Sequence, residues 1–167
     1  MLTLVLLAGV TGTGKSTLAS TLGRELGWPV LDKDTPKSAL LASGLAEDVA
    51  APLAYDLMFA QASDLLYQGF SIILDSPASS PESVQNARRI AGSASARLRV
   101  VLCTTDRTLR EARLRKRTPM LSQPDRPNEP PMEEALRYAH LPSDTLTVDT
   151  NRPVEELLSK VCAYVLG

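Results

Sequence analysis

Histidine is almost missing from this chain of 167 residues, where His140 stands alone. No partner pattern surrounds it, so histidine general-base chemistry is disfavoured and His140 is expected at the surface. Cysteine is nearly as scarce. Cys103 and Cys162 lie in apolar runs and match no metal-ligand spacing, which leaves both as reduced core residues. Aromatic residues make up 4% of the chain. Trp28 and the four tyrosines do not interleave with basic residues in a way that would stack bases, and Tyr55 and Tyr67 are expected in the core. No apolar run is long enough to span a bilayer. The opening run Leu2–Ala8 also lacks a basic leader and a small-residue cleavage site, so the expected location is cytoplasmic. Net charge is missing too. The formal value of -1 and the pI near 5.9 argue against a chain that coats nucleic acid or an anionic membrane.

What remains is ordinary globular material. An apolar share of 44% with 22% charged residues, and a length suited to one core, point to a single domain over 1–167. The chain shows no internal repeat and no composition break. Its even charge conceals one asymmetry. From Arg88 to Arg126 eleven Lys/Arg face three acids, a local excess of +8. Such a field suits a small polyanionic ligand at least as well as a nucleic-acid strand.

Periodicity divides the chain into alternating elements. Leu2–Ala8 is a continuous apolar run, the pattern of a strand buried on both faces. Leu18, Leu22 and Leu26 give helical spacing from Lys15 onward, stopped by Gly27. A short strand follows in 28–34, then helix over 36–68 in two pieces broken around Gly44 and Pro52. Residues 70–75 read as a third strand, and Ser80–Pro81 caps a helix reaching about Gly92. A strand at 98–103, a helix at 106–117, a short helix to His140, a strand at 145–149 and a helix at 153–166 complete the pattern. Residues 118–131 hold five prolines and are expected to be irregular. This order implies an α/β fold with three layers, a five-stranded mainly parallel sheet between two helical layers. Ligands then bind at the carboxyl ends of the strands.

The residues from Gly9 to Ser16, G-V-T-G-T-G-K-S, fit G-x-x-x-x-G-K-[ST] and lie between a strand and a helix. Glycines let successive N–H groups converge on an anion, and the helix start adds donors and the positive end of its dipole. Lys15 supplies a full charge for the β/γ-phosphates and Ser16 a hydroxyl for Mg²⁺. Gly9, Thr11, Gly12, Thr13, Gly14, Lys15, Ser16 and Thr17 are therefore the candidate nucleotide cradle. The stretch resembles that of the P-loop nucleoside-triphosphate family, which implies a P-loop NTPase fold with ATP and Mg²⁺ as cofactors.

Three other clusters narrow the resemblance to small P-loop kinases. Asp32 and Asp34 are two apart and would point the same way on an extended strand, with Lys37 three residues on. This looks like the Asp-x-x-Arg element of phage polynucleotide kinase, the zeta toxins and chloramphenicol phosphotransferase. The resemblance implies that Asp34 accepts the acceptor hydroxyl's proton and that Asp32 and Lys37 lie near the substrate. Lysine replaces the usual arginine and cannot make its bidentate fork. The alternative is that one or both acids cap the next helix. Asp75 ends an apolar strand, which is the Walker B pattern, a Mg²⁺ partner to Ser16.

In the helix 106–117, Asp106 precedes Arg110 and Glu111 precedes Arg115 by four residues, the favourable order for ion pairs. Arg113 and Arg117 share a face without an acid in reach along the helix, at a cost of about 0.2–0.5 kcal/mol that phosphate oxygens would offset. The segment resembles the arginine-bearing lid of these kinases, spanning about 113–131, with Arg126 a further candidate. Asn151 and Arg152, with Thr150, lie where such kinases have the loop beside adenine. The arm at about 36–68 is where an acceptor is selected. The resulting expectation is an ATP- and Mg²⁺-dependent phosphotransferase acting on a small hydroxyl compound. A polynucleotide 5′-hydroxyl kinase and a regulatory ATPase without an acceptor are the alternatives.

Overall fold

The apolar run at the start of the chain becomes the centre of the molecule. In the computed structural model, which describes residues 1–123 and 134–167, β1 (Thr3–Ala8) is buried along its whole length. It lies between β3 (Ile72–Asp75) and β4 (Arg97–Thr104). β2 (Val30–Asp32) and β5 (Leu146–Asp149) form the edges, giving a fully parallel sheet of order β2-β3-β1-β4-β5. Parallel strands need crossovers, and helices supply them. α1 (Lys15–Leu26) follows β1, while α2 (Asp34–Ala42) and α3 (Glu47–Tyr67) join β2 to β3. α4 (Pro81–Ser93) precedes β4, α5 (Arg107–Lys116) and the short α6 (Glu134–Arg137) precede β5, and α7 (Val154–Leu166) ends the chain.

Side chains leave β1 alternately to its two faces. Leu4, Leu6 and Ala8 join a core with Met58, Phe59 and Ala62 of α3 and Val84, Ala87 and Ile90 of α4. Val5 and Leu7 join the opposite core, with Leu18 and Leu22 of α1 and Leu157, Val161 and Val165 of α7. Three layers with α/β alternation were expected, and the sheet is more regular than expected because all its pairings are parallel.

Several expectations need correction. The strand after Trp28 stops at Asp32, and Asp34 is the first residue of α2, so the two acids do not share an extended strand. Pro52 does not break the arm. It lies inside α3, and the only interruption is between Ala42 and Glu47. Tyr67 is 68% exposed, while Tyr55 packs partly buried on the α3 side of the sheet. His140 is half-buried and its Nε2 lies 3.0 Å from the Ala78 carbonyl oxygen. Cys103 is buried as expected, and its thiol is pushed up to about 12 by that burial; Cys162 is only half-buried. Glu111 pairs with Arg107, not Arg115, at 2.8 Å, and Asp106 caps α5 by accepting from the Leu109 N–H. Arg126 lies outside the described residues. Among the described residues no helix is long and apolar enough to cross a membrane.

Leu6 is fully buried on the central strand, so Leu6→Ala should cost about 2–5 kcal/mol in urea-induced unfolding. A loss below about 1 kcal/mol would contradict this placement of β1.

Candidate active site

The carboxyl ends of β1, β2 and β3 meet beneath the glycine loop. Asp75 is in register with Leu7 of β1 on one side and with Asp32 of β2 on the other. The loop from Gly9 to Gly14 then rises over this edge. A Cβ on Gly9 (φ +136°) would lie 2.5 Å from the Cys103 carbonyl oxygen, a backbone atom that cannot move aside. The Val10 carbonyl gathers the loop inward. It accepts from the Thr13 N–H at 3.3 Å, the Thr13 hydroxyl at 2.8 Å and Lys15 Nζ at 2.9 Å. Gly14, in the left-handed region, caps α1 without a side-chain oxygen for the first-turn donors. A helix cannot satisfy those donors internally, which makes them available to an anion.

The pocket beside this loop has a volume of about 330 Å³ and is lined by Thr11, Gly12, Gly14, Lys15, Ser16, Thr17, Lys33, Asp34, Asp75, Pro77, Arg113, Leu114, Arg117 and Gln123. Ten of these were singled out in the sequence: Thr11, Gly12, Gly14, Lys15, Ser16 and Thr17 of the loop, with Asp34, Asp75, Arg113 and Arg117. Gly9 and Thr13 support the loop and do not line the pocket. Asp32 does not line it either: its carboxylate accepts from the Thr35 N–H at 2.7 Å and the Thr35 hydroxyl at 2.9 Å, at the start of α2. Lys37 is buried, pairs with Glu47 and donates to the Ser122 carbonyl at 3.3 Å. Asn151 accepts from Thr105 at 2.7 Å and the Asp106 N–H at 3.2 Å, and both it and Arg152 are exposed outside the pocket lining.

Other residues escaped the sequence reading. Lys33 Nζ lies 2.6 Å from Asp34 Oδ1 and 6.0 Å from the centre of the Tyr55 ring. Arg110 donates to the Thr11 carbonyl at 2.7 Å. Together with Leu114 it would be met at 3.0–3.1 Å by a Cβ on Gly12 (φ +88°), so α5 rests directly on the loop. Arg113 donates to the Thr150 carbonyl at 2.6 Å, and the Thr150 hydroxyl lies 2.7 Å from the Thr13 carbonyl oxygen. Spacing could have drawn Arg110 into the face of Arg113, three residues on. No periodic signal marks Lys33 or Gln123.

The two pocket carboxylates have opposite tendencies. Burial raises the Asp34 carboxyl, but hydrogen bonds from Lys33 and Gln123, the Lys33 charge and a bond from Ser122 outweigh it and leave it below the ordinary carboxylate value. Burial also dominates at Asp75 and lifts it above that value. The Ser16 hydrogen bond and the Lys15 charge oppose this lift without cancelling it, and Asp32 and Asp34 add to it. A buried carboxylate with a raised pKa beside a hydroxyl is an environment that a cation would improve. Among the described residues no cluster of three His, Cys, Asp or Glu could hold a metal by itself. One hydroxyl and one carboxylate nevertheless fit Mg²⁺, which commonly keeps waters and takes phosphate oxygens as its other ligands.

Because the folded pKa of Asp75 is raised, its ionisation costs stability, a cost absent below the ordinary value of 3.8 and growing as the pH rises above it. In chelator-treated protein, urea unfolding of Asp75→Asn against the parent should therefore favour the variant more at pH 7 than at pH 3.5. A difference that stays constant, or grows toward acid, would contradict the burial argument.

Solved structures share this fold. A candidate kinase of Chloroflexus aurantiacus is 20% identical with a TM-score of 0.76, covering 98% of both chains. The APS kinase of Mycobacterium tuberculosis, solved with AMPPNP and APS, is 20% identical with a TM-score of 0.67 over 99% of this chain and 98% of that one. A sugar kinase of a Janibacter species is 17% identical with a TM-score of 0.66 over 98% and 94%. At these identities the likeness establishes a P-loop NTPase-like α/β fold. No curated protein sequence matches the chain. The family pattern described as an AAA domain matches residues 4–142, most of the length, and the chain belongs to that AAA domain family.

Proposed function

We propose that the protein is an ATP- and Mg²⁺-dependent phosphotransferase that moves the γ-phosphoryl group to a hydroxyl of a small molecule. The observation that carries this reading is the single pocket edge that gathers Lys15, Ser16, Asp75, Asp34, Arg113 and Arg117. Nucleotide phosphates would lie on the loop donors, with Lys15 exchanging the Val10 carbonyl for phosphate oxygens. Ser16 and Asp75 would hold Mg²⁺, which when bound neutralises phosphate charge. Arg113 and Arg117, on the segment taken as a lid from 113 to about 131, would stabilise the charge spread during transfer. Asp34 would orient the acceptor hydroxyl and take its proton late, since a carboxylate held below its ordinary pKa is a weak base. The acceptor would be chosen by the arm at about 36–68.

Support also comes from the structural relatives, which include kinases named for APS and for a sugar. Within the small kinases the Asp-x-x-basic type remains our reading because Asp34 faces the pocket. Its basic member is supported less well, since Lys37 is engaged by Glu47 and Ser122 while Lys33 stands at the pocket. Asn151 and Arg152 keep a proposed place beside the base, with the Asn151 side chain spent on the neighbouring turn. A cytoplasmic, small-molecule enzyme fits this reading better than a nucleic-acid enzyme.

Incubation with ATP, Mg²⁺ and pooled hydroxyl metabolites should yield a phosphorylated mass. Asp34→Asn should lower transfer about 100-fold or more while ATP affinity stays within a few-fold. Undiminished transfer in the variant would remove Asp34 from its role.

A further inference from the structure

The segment after α5 returns across α2 and takes hold of Asp34. Ser122 Oγ donates to Oδ1 at 3.3 Å and Gln123 Nε2 donates to Oδ2 at 3.0 Å, while Lys33 also donates to Oδ1 at 2.6 Å. The segment is anchored in turn. The Ser122 N–H donates to Ser38 Oγ at 3.2 Å and the Ser122 carbonyl accepts from Lys37, itself fixed by Glu47. Ser122 is 5% exposed. An ionised carboxylate offers about four acceptor positions, and three are filled here by the chain's own donors, a hydroxyl among them. Gln123 and Asp34 both line the pocket, so the bond to Oδ2 lies at the pocket wall.

We propose, resting on the phosphotransferase reading above, that Ser122 and Gln123 keep the acceptor's place on Asp34 and are displaced when an acceptor hydroxyl arrives. The device suppresses waste. With Asp34 released and no acceptor present, the carboxylate can orient a water molecule. The water oxygen bonds to the γ-phosphorus, the bond from that phosphorus to the bridging oxygen of ADP breaks, and the water proton passes through Asp34 to solvent. With Asp34 held by Ser122, Gln123 and Lys33, most of its acceptor positions are taken and it orients water poorly. The role of Lys37 changes accordingly: it fixes the competing segment and does not touch the substrate.

The test measures phosphate release from ATP and Mg²⁺ by the full chain without added alcohol. Gln123→Ala should raise release about 3- to 10-fold, the scale of one lost hydrogen bond. Ser38→Ala, which touches neither Asp34 nor the pocket, should raise it less but in the same direction. Adding Asp34→Asn to Gln123→Ala should return release to the parent level, which a merely loosened fold would not do. Release that is unchanged or lower in Gln123→Ala, with ATP binding intact by calorimetry, would overturn this inference and leave the phosphotransferase reading standing. Absence of ATP binding in the parent protein would overturn both.

Discussion

The carbonyl oxygen of Cys103 stands 2.5 Å from where a Cβ on Gly9 would be, so the chain can leave β1 along this path only on a residue without a side chain. That restriction sets the course of everything above the sheet. Beyond Gly9 the loop folds around the Val10 carbonyl, α1 starts at Lys15 with a bare glycine cap, and α5 settles on Gly12. The loop is thus unpacked only toward the pocket. Beneath it, β1 is buried from end to end, which gives a flexible sequence a rigid base. The glycines serve two ends at once, permitting the curl and keeping side chains out of the space where an anion would sit.

Charge in the pocket is arranged by the same scaffold. Asp75 is carried by a strand whose other residues are core, so burial dominates it and a cation would relieve it. Asp34 begins a helix, beside Lys33 and under two donors from a distant segment, and these hold it ionised. Two carboxylates of one residue type are therefore pushed in opposite directions by their surroundings, as the proposed metal and acceptor roles require. Arg110 and Arg113 spend their hydrogen bonds on the carbonyls of Thr11 and Thr150, tying α5 to the loop and to the end of β5.

Much of this was legible in the sequence, and the exceptions share a cause. The central strand, the glycine loop, the bounds of α1 and the Asp75 strand end follow from apolar runs and local turn chemistry, which depend on neighbours a few residues away. Asp34 was found as a residue but misplaced on a strand, because a three-residue edge strand has too little pattern to show where it stops. Pro52 misled because an interior proline ordinarily breaks or kinks a helix, yet α3 runs through it with Ala50 and Ala54 buried on either side in sequence. Lys37, Ser122 and Gln123 could not be placed, since their partners lie up to 89 residues away and hydrogen bonding at that range leaves no periodic trace. Arg113 and Arg117 were read as one helical face, but α5 ends at Lys116 and Arg117 is extended at its C-cap, and the pairing of Glu111 with Arg107 shows how little spacing says about which exposed partner is taken.

The central claim is that this loop and Lys15 capture the anionic tail of a nucleotide. Isothermal titration of the folded protein with ATP, with and without Mg²⁺, tests it most directly. Saturable heat at one nucleotide per chain is expected, with affinity at least about tenfold weaker in Lys15→Met, as loss of a charge-assisted contact implies. No heat from the well-folded parent protein, or equal affinity in the variant, would contradict the account.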